Sequence, residues 1–395
     1  MKLKKVICIV IIPLLLTGCW NSHEINNLVI TICIGLDKTE NGYMVTTQVL
    51  NSKSIAAKVA VNESPIVIYS ETGKDILENL RRMTTETRKI YNSHLRMVVI
   101  GEELATEGIQ DILDFFMRDH EFRTDFYIVV AKGTTAKKVL TTLTPLEIIP
   151  GLKLYNSLKN SESAWAPTKA VRIIELVNSI ISDGKNPVLT GVEIIDGSNN
   201  SDSVDLLKES DAGNRLKYTS LGAFKKDKLV GWLNEPESKG YNYIIGNIKS
   251  TVGYTMIDSK QKVTFEVTKE KSKIKAYLLN GKPAIKVEIN YEGNIAAVEG
   301  QIDITKEENE TKITKMLEKK TKSMCDEVLE KTKTDFHTDI FGFGEVIHRK
   351  YPKQWAKIKD NWNDEFVNLP VDITINVKIN RFGQNTKSFF IKEEE

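Results

Sequence analysis

The sequence predicts an α+β protein of more than one domain, with strand-rich sheets flanked by helices. Three observations carry this. β-branched runs of alternating hydrophobicity recur along the chain, stretches with apolar residues at helical spacing separate some of them, and a polar, turn-rich segment divides the chain near its middle. With 395 residues, 41% hydrophobic and 27% charged, the chain can fill two or three cores and is not a disordered polymer. Lys and Arg number 55 against 53 Asp and Glu, and a net charge of +2 is no electrostatic footprint for nucleic acid.

In chain order, residues 28–36 and 43–50 are β-branched runs joined across an Asn41-Gly42 step, a hairpin signal. A short apolar run at 65–70 precedes helical spacing over 71–90, a strand at 95–100, a helix at 103–118, a strand at 125–131 and a helix at 135–143. This alternation predicts a small βαβ-type unit, a possible sub-domain over 65–143. A helix at 169–182, with Thr168 as N-cap and Gly184 as stop, leads to a strand at 187–196. The polar stretch 197–214 is the expected linker between an N-terminal α+β domain (19–196) and a C-terminal one (215–395). Beyond it lie strands at 218–224 and 228–233 and alternating runs at 263–267, 285–289 and 295–304. A helix over 307–336 follows, then two short helices within 339–361 broken at Tyr351-Pro352, and a last strand at 371–379.

Residues 1–18 have the layout of a secretory leader: Lys2, Lys4 and Lys5, then an apolar run from Val6 to Leu16. Eleven residues rise only about 16 Å as a helix, about half of a hydrocarbon core. Leu16-Thr17-Gly18-Cys19 resembles a bacterial lipobox, in which cleavage before the cysteine leaves a thiol that takes a diacylglycerol. Cys19 is therefore the expected lipidation site and membrane anchor. Cys33 and Cys325 allow one disulfide; buried free thiols are the expectation, both lying in apolar surroundings.

Signs of catalysis are sparse. Gly73-Lys74 lacks the upstream glycine and following Ser or Thr of a phosphate loop, and His23-Glu24 has Asn27 where a zinc helix needs histidine. There is no Cys-x-x-Cys and no Gly-x-Ser-x-Gly, so no metal and no cofactor beyond the covalent lipid is expected. One segment is oddly composed. In Phe341-Gly342-Phe343-Gly344 the two glycines cost a helix about 1 kcal/mol each. Either a closely packed turn requires them, the favoured alternative, or the four residues form an exposed apolar patch for a protein partner.

The chain resembles the Ger(x)C family, the C-subunit lipoproteins of spore germination receptors. The resemblance rests on Gly18-Cys19-Trp20 with Glu24-Ile25-Asn26, Ile34-Gly35-Leu36-Asp37-Lys38, Ser93-His94-Leu95-Arg96, and Val98-Val99-Ile100-Gly101-Glu102-Glu103-Leu104-Ala105. It continues through Leu113-Asp114-Phe115-Phe116-Met117-Arg118-Asp119, Gly222-Ala223-Phe224-Lys225, Asp227 to Leu233, Asp339 to Glu345, Tyr351-Pro352, Trp355 and Trp362; residues 151–167 do not align. The resemblance implies a non-enzymatic receptor subunit in the inner spore membrane that works with A and B membrane subunits. Whether it contacts a small-molecule germinant is left open. Two alternatives from other classes are a solute-binding lipoprotein, which needs two similar α/β lobes, and an envelope hydrolase, which needs a nucleophile or metal constellation.

Overall fold

The computed structural model describes residues 28–51, 64–144, 147, 149–195, 215–258, 261–300, 302–304 and 306–381. The leader, Cys19 and the linker at 197–214 lie outside them.

Two sheets organise the chain. The first has nine strands: β1 (Leu28–Thr39), β2 (Gly42–Leu50), β3 (Ile66–Gly73), β4 (Lys89–Tyr91), β5 (Met97–Gly101), β6 (Tyr127–Ala131), β7 (Val188–Ile195), β8 (Arg215–Lys225) and β9 (Lys228–Trp232). Their spatial order is β3-β2-β1-β5-β6-β7-β8-β9, with the short β4 beside β1. The β1/β2 hairpin is antiparallel, while β1, β5, β6 and β7 run parallel and are linked by helical crossovers. The βαβ-type unit expected within 65–143 is thus the β5-to-β6 connection, which carries α2 (Glu102–Glu107) and α3 (Gln110–Arg118) after an earlier α1 (Ile76–Arg82).

A central parallel strand must be apolar on both faces, and every residue of β5 and β6 is buried. Alternation sends Val98, Ile100, Ile128 and Val130 to one face, under α1, α2, α3 and α6 (Ile173–Ile181). It sends Met97, Val99, Val129 and Ala131 to the other, under α4 (Ala136–Thr141) and α5 (Pro150–Ala164). Gly108, at φ +137°, divides what helical spacing predicts as one helix at 103–118. The helix expected from residue 169 begins only at Ile173, because Lys169 and Thr190 are tied side by side through backbone and hydroxyl contacts.

The second sheet is β10 (Thr251–Met256), β11 (Lys262–Leu279), β12 (Lys282–Glu299) and β13 (Val371–Arg381), in that order. β11 and β12 form an antiparallel hairpin of 18-residue strands turned at Asn280-Gly281, both at positive φ. Its buried face (Val263, Phe265, Ile285, Val287, Ile289, Tyr291) packs under α7 (Glu235–Ile245) and the long α8 (Glu307–Thr334); α9 (Phe343–Lys350), α10 (Pro352–Ile358) and α11 (Trp362–Val367) close the end.

The expected boundary at 197–214 does not separate the sheets. β8, from beyond the linker, pairs antiparallel with β7 from before it, and β9 follows as the edge strand. One hydrophobic cluster also joins Ala166 and Val188 from before the linker to Leu221, Ala223, Tyr241, Ile285, Val328 and Phe343 from beyond it. Cys33 and Cys325 are free thiols in different clusters. Proteolytic nicking within 197–214 is expected to leave the two pieces together on size-exclusion chromatography, because β7 loses its partner strand on separation; elution as two separate fragments would contradict the shared sheet.

Candidate functional site

The motifs quoted above meet one another in space. Asp37, at the end of β1, accepts the N–H groups of Ala136 and Lys137 at 2.7 and 2.8 Å and so caps α4. A side chain at Gly101 would lie 2.3 Å from the Asp37 carboxylate, which explains the glycine. Glu102 accepts the indole N–H of Trp232 and the N–H of Gly133, both at 2.6 Å, tying β9 to the top of β5. These residues hold the fold.

The same is true of the Phe-Gly-Phe-Gly segment. Phe341 and Phe343 are buried and stacked with ring centroids 5.0 Å apart; Phe341 also meets Tyr241, and Phe343 meets Phe366. They offer no exposed apolar patch, so the closely packed turn holds and the partner-contact alternative for Phe341, Gly342, Phe343 and Gly344 does not. The turn is organised by Asp339, which is fully buried. Its carboxylate accepts the N–H groups of Phe341 (3.0 Å), Gly342 (2.9 Å) and Gly344 (2.9 Å) and the Trp362 indole N–H (3.2 Å). Burial pushes this carboxyl up to about 7, against the pull of those four donors. Gly342 sits at φ +82°, and a Cβ on Gly344 would lie 2.6 Å from the Cα of Gly184. The loop after α6 is held to the turn by Asn186 N–H to the Asp339 carbonyl (2.7 Å) and Glu345 N–H to the Gly184 carbonyl (3.3 Å). The segment is a clamp between the two halves.

The exposed chemistry lies elsewhere. A groove of ≈ 400 Å³ opens where the end of α5, the start of α7, β10, β11 and α8 meet. Tyr243, Phe265 and Tyr291 form its wall, the Tyr291 hydroxyl lying 3.0 Å from the Thr321 hydroxyl. Trp165 and Tyr254 flank it, 43% and 53% exposed. The Lys239 ammonium sits 3.4 Å above the Trp165 ring, and that of Lys320 4.1 Å above Tyr254 while donating to its carbonyl at 2.6 Å. Desolvation pushes both lysines below the usual lysine range. Glu235 lines the same groove and pairs with Lys239 at 3.3 Å, so Lys320 carries the rim's excess positive charge, and the groove suits an apolar anchor with an acidic side chain beside it.

Among the described residues no cluster of three His, Cys, Asp or Glu side chains is placed to hold a metal, and no helix is long and apolar enough to cross a membrane. The two sheets differ in strand number and topology, so the chain is not the pair of similar lobes that a solute-binding lipoprotein needs.

Comparison with known proteins places these features. Residues 21–194 match the family model described as "Spore germination protein N-terminal domain", and 219–383 match "Spore germination B3/ GerAC like, C-terminal". "Spore germination protein KC" of Bacillus subtilis (strain 168) is 31% identical over 380 residues, 94% of this chain and 93% of that protein. The chain belongs to the Ger(x)C family. "Spore germination protein B3" of the same organism is 26% identical over 377 residues, 94% of this chain and 95% of that protein. The crystal structure of the GerBC protein superposes with a TM-score of 0.57 at 24% identity, over 88% of this chain and 96% of that one. The mixed α+β architecture is therefore that of the family, and the two family models divide near the linker although the first sheet crosses it.

Replacing Asp339 with Asn places an amide among donors and should destabilise the protein by about 3 kcal/mol in denaturant unfolding; an unchanged midpoint would contradict the clamp. Burial also pushes Glu270 up to about 7. For both carboxyls the folded-state value lies above the unfolded one, so the unfolded chain loses its proton first. Stability should therefore fall as pH rises from about 4.5 to about 7 and level off above. Glu270→Gln should flatten part of that slope in thermal melts; an identical pH profile would contradict its source.

Proposed function

We propose that this chain is the lipid-anchored C subunit of a nutrient germinant receptor, acting without catalysis by assembly with A and B membrane subunits at the outer face of the inner spore membrane. The observation that carries the proposal is the match over nearly the full length to germination proteins KC and B3, both halves included. Leu16-Thr17-Gly18-Cys19 supports the anchoring: a diacylglycerol on Cys19 supplies two acyl chains, enough for stable attachment where one is marginal.

In this proposal the folded body is a partner held close to the membrane, which raises its effective concentration toward the other subunits. The groove around Trp165, Tyr254, Lys239 and Lys320 is the contact face we assign to them, since the Phe-Gly-Phe-Gly turn is buried.

Membrane fractions should lose the protein in Cys19→Ala spores, and retention there would contradict the anchor. Tyr254→Ala combined with Lys320→Glu should leave the protein in the membrane and reduce its co-purification with the A and B subunits at least about tenfold. Undiminished co-purification would remove the groove from the interface while leaving the anchor intact.

A further inference from the structure

A second concavity, of ≈ 410 Å³, opens on the clamp side of the molecule between α6, the start of β7, α7 and the first turn of α9. No motif in the sequence points to it, because its walls come from distant parts of the chain. Its volume is in the range of small-molecule sites, about 300–1,000 Å³.

The chemistry of its lining is unusual. At the floor stands Tyr241, only 1% exposed, whose ring packs on Phe341 while its hydroxyl has no hydrogen-bond partner among the described residues. That hydroxyl is not among the fully buried unpartnered polar atoms, so it is open to the cleft it lines and available to a ligand or to water. Beside it Lys169 brings its ammonium 5.9 Å from the Tyr241 ring centre, and Lys185 lines the same space. Neither lysine, nor Glu175 on the facing helix, has an ion-pair partner within 4.0 Å among the described residues. Burial pushes Lys169 below the usual lysine range, the cost of a cation held away from water without a counter-charge at contact distance. Glu345, whose other contact is the Ser182 hydroxyl at 2.9 Å, gives the cleft a second carboxylate, and Asn178 adds an amide beside Glu175.

Two cations, two carboxylates and an unpartnered phenol around one small volume select for a ligand that carries both signs of charge. We infer that this cleft binds a small zwitterionic metabolite of amino-acid size, its carboxylate held by Lys169, Lys185 and the Tyr241 hydroxyl and its ammonium by Glu175 and Glu345. A simple anion would leave the carboxylates repelling it, and a neutral sugar would leave the lysines unpaired. The inference does not depend on assembly with membrane subunits.

Saturation-transfer NMR on the full chain in detergent, with a mixture of the proteinogenic amino acids and, separately, acetate, ethanolamine and glucose, tests this. At least one amino acid should give a signal, with acetate, ethanolamine and glucose at least about tenfold weaker. Lys169→Met and Tyr241→Phe should each lower affinity about tenfold. Tyr241→Phe keeps the ring that packs on Phe341 and so separates ligand contact from folding, checked by an unchanged circular dichroism melt. No signal from any amino acid, an equal signal from acetate or glucose, or undiminished binding by a folded Tyr241→Phe protein would overturn the inference.

Discussion

A buried carboxylate joins the two halves of this molecule. Asp339 loses its hydration entirely, a cost tolerated because four N–H groups converge on its two oxygens. Those donors dictate the turn that follows. Gly342 must take a left-handed conformation to present its N–H, and Gly344 must lack a side chain for the turn to approach Gly184. The two phenylalanines then stack inward, and Trp362 is oriented by its own donation to the same carboxylate. Removing one partner from such a site leaves several buried donors unsatisfied together, so its members act as a unit.

The clamp gives the chain an organisation that its linker conceals. The polar stretch at 197–214 looks like a hinge between domains, and the family models divide near it. The first sheet nevertheless takes its last two strands from beyond it, and one core runs through both halves. The aromatic and lysine groove is built on this shared core, with Tyr243, Phe265 and Tyr291 in its wall. That suits the assembly role proposed for it. The zwitterion cleft shares Tyr241 with the clamp through its contact with Phe341, so whatever fills the cleft lies one ring away from the junction.

Much of the fold was legible in the sequence where period and burial agree. β5 and β6 read as short apolar runs, and α8 as a long amphipathic helix, because Ile313, Leu317, Val328 and Leu329 recur on one side. Three helices escaped, the short α11 beyond residue 361 among them. α5 buries few apolar side chains beyond Leu154 and Leu158, and α7 buries polar ones such as Ser238 and Asn242. The legible signal for α7 was its start, where Asn234 and Glu237 form a capping box around Pro236. The 18-residue strands read as fragments, because the second half of β11 is rich in Lys with few apolar residues and the middle of β12 is the polar stretch from Asn290 to Asn294. The sites were less legible still. Glycines between aromatics announced a constraint at 341–344, but that Asp339 would gather its donors depends on tertiary closure, and both concavities draw their walls from segments far apart in the chain.

In the proposed role, a spore needs this tethered body in order to respond to nutrient. The most direct measurement is nutrient-triggered dipicolinate release from spores lacking the chain, restored with the wild-type or Cys19→Ala protein. Release should fail in the deletion, return with the wild type, and return weakly or not at all with Cys19→Ala. Full release restored by a Cys19→Ala protein found only in the soluble fraction would contradict it.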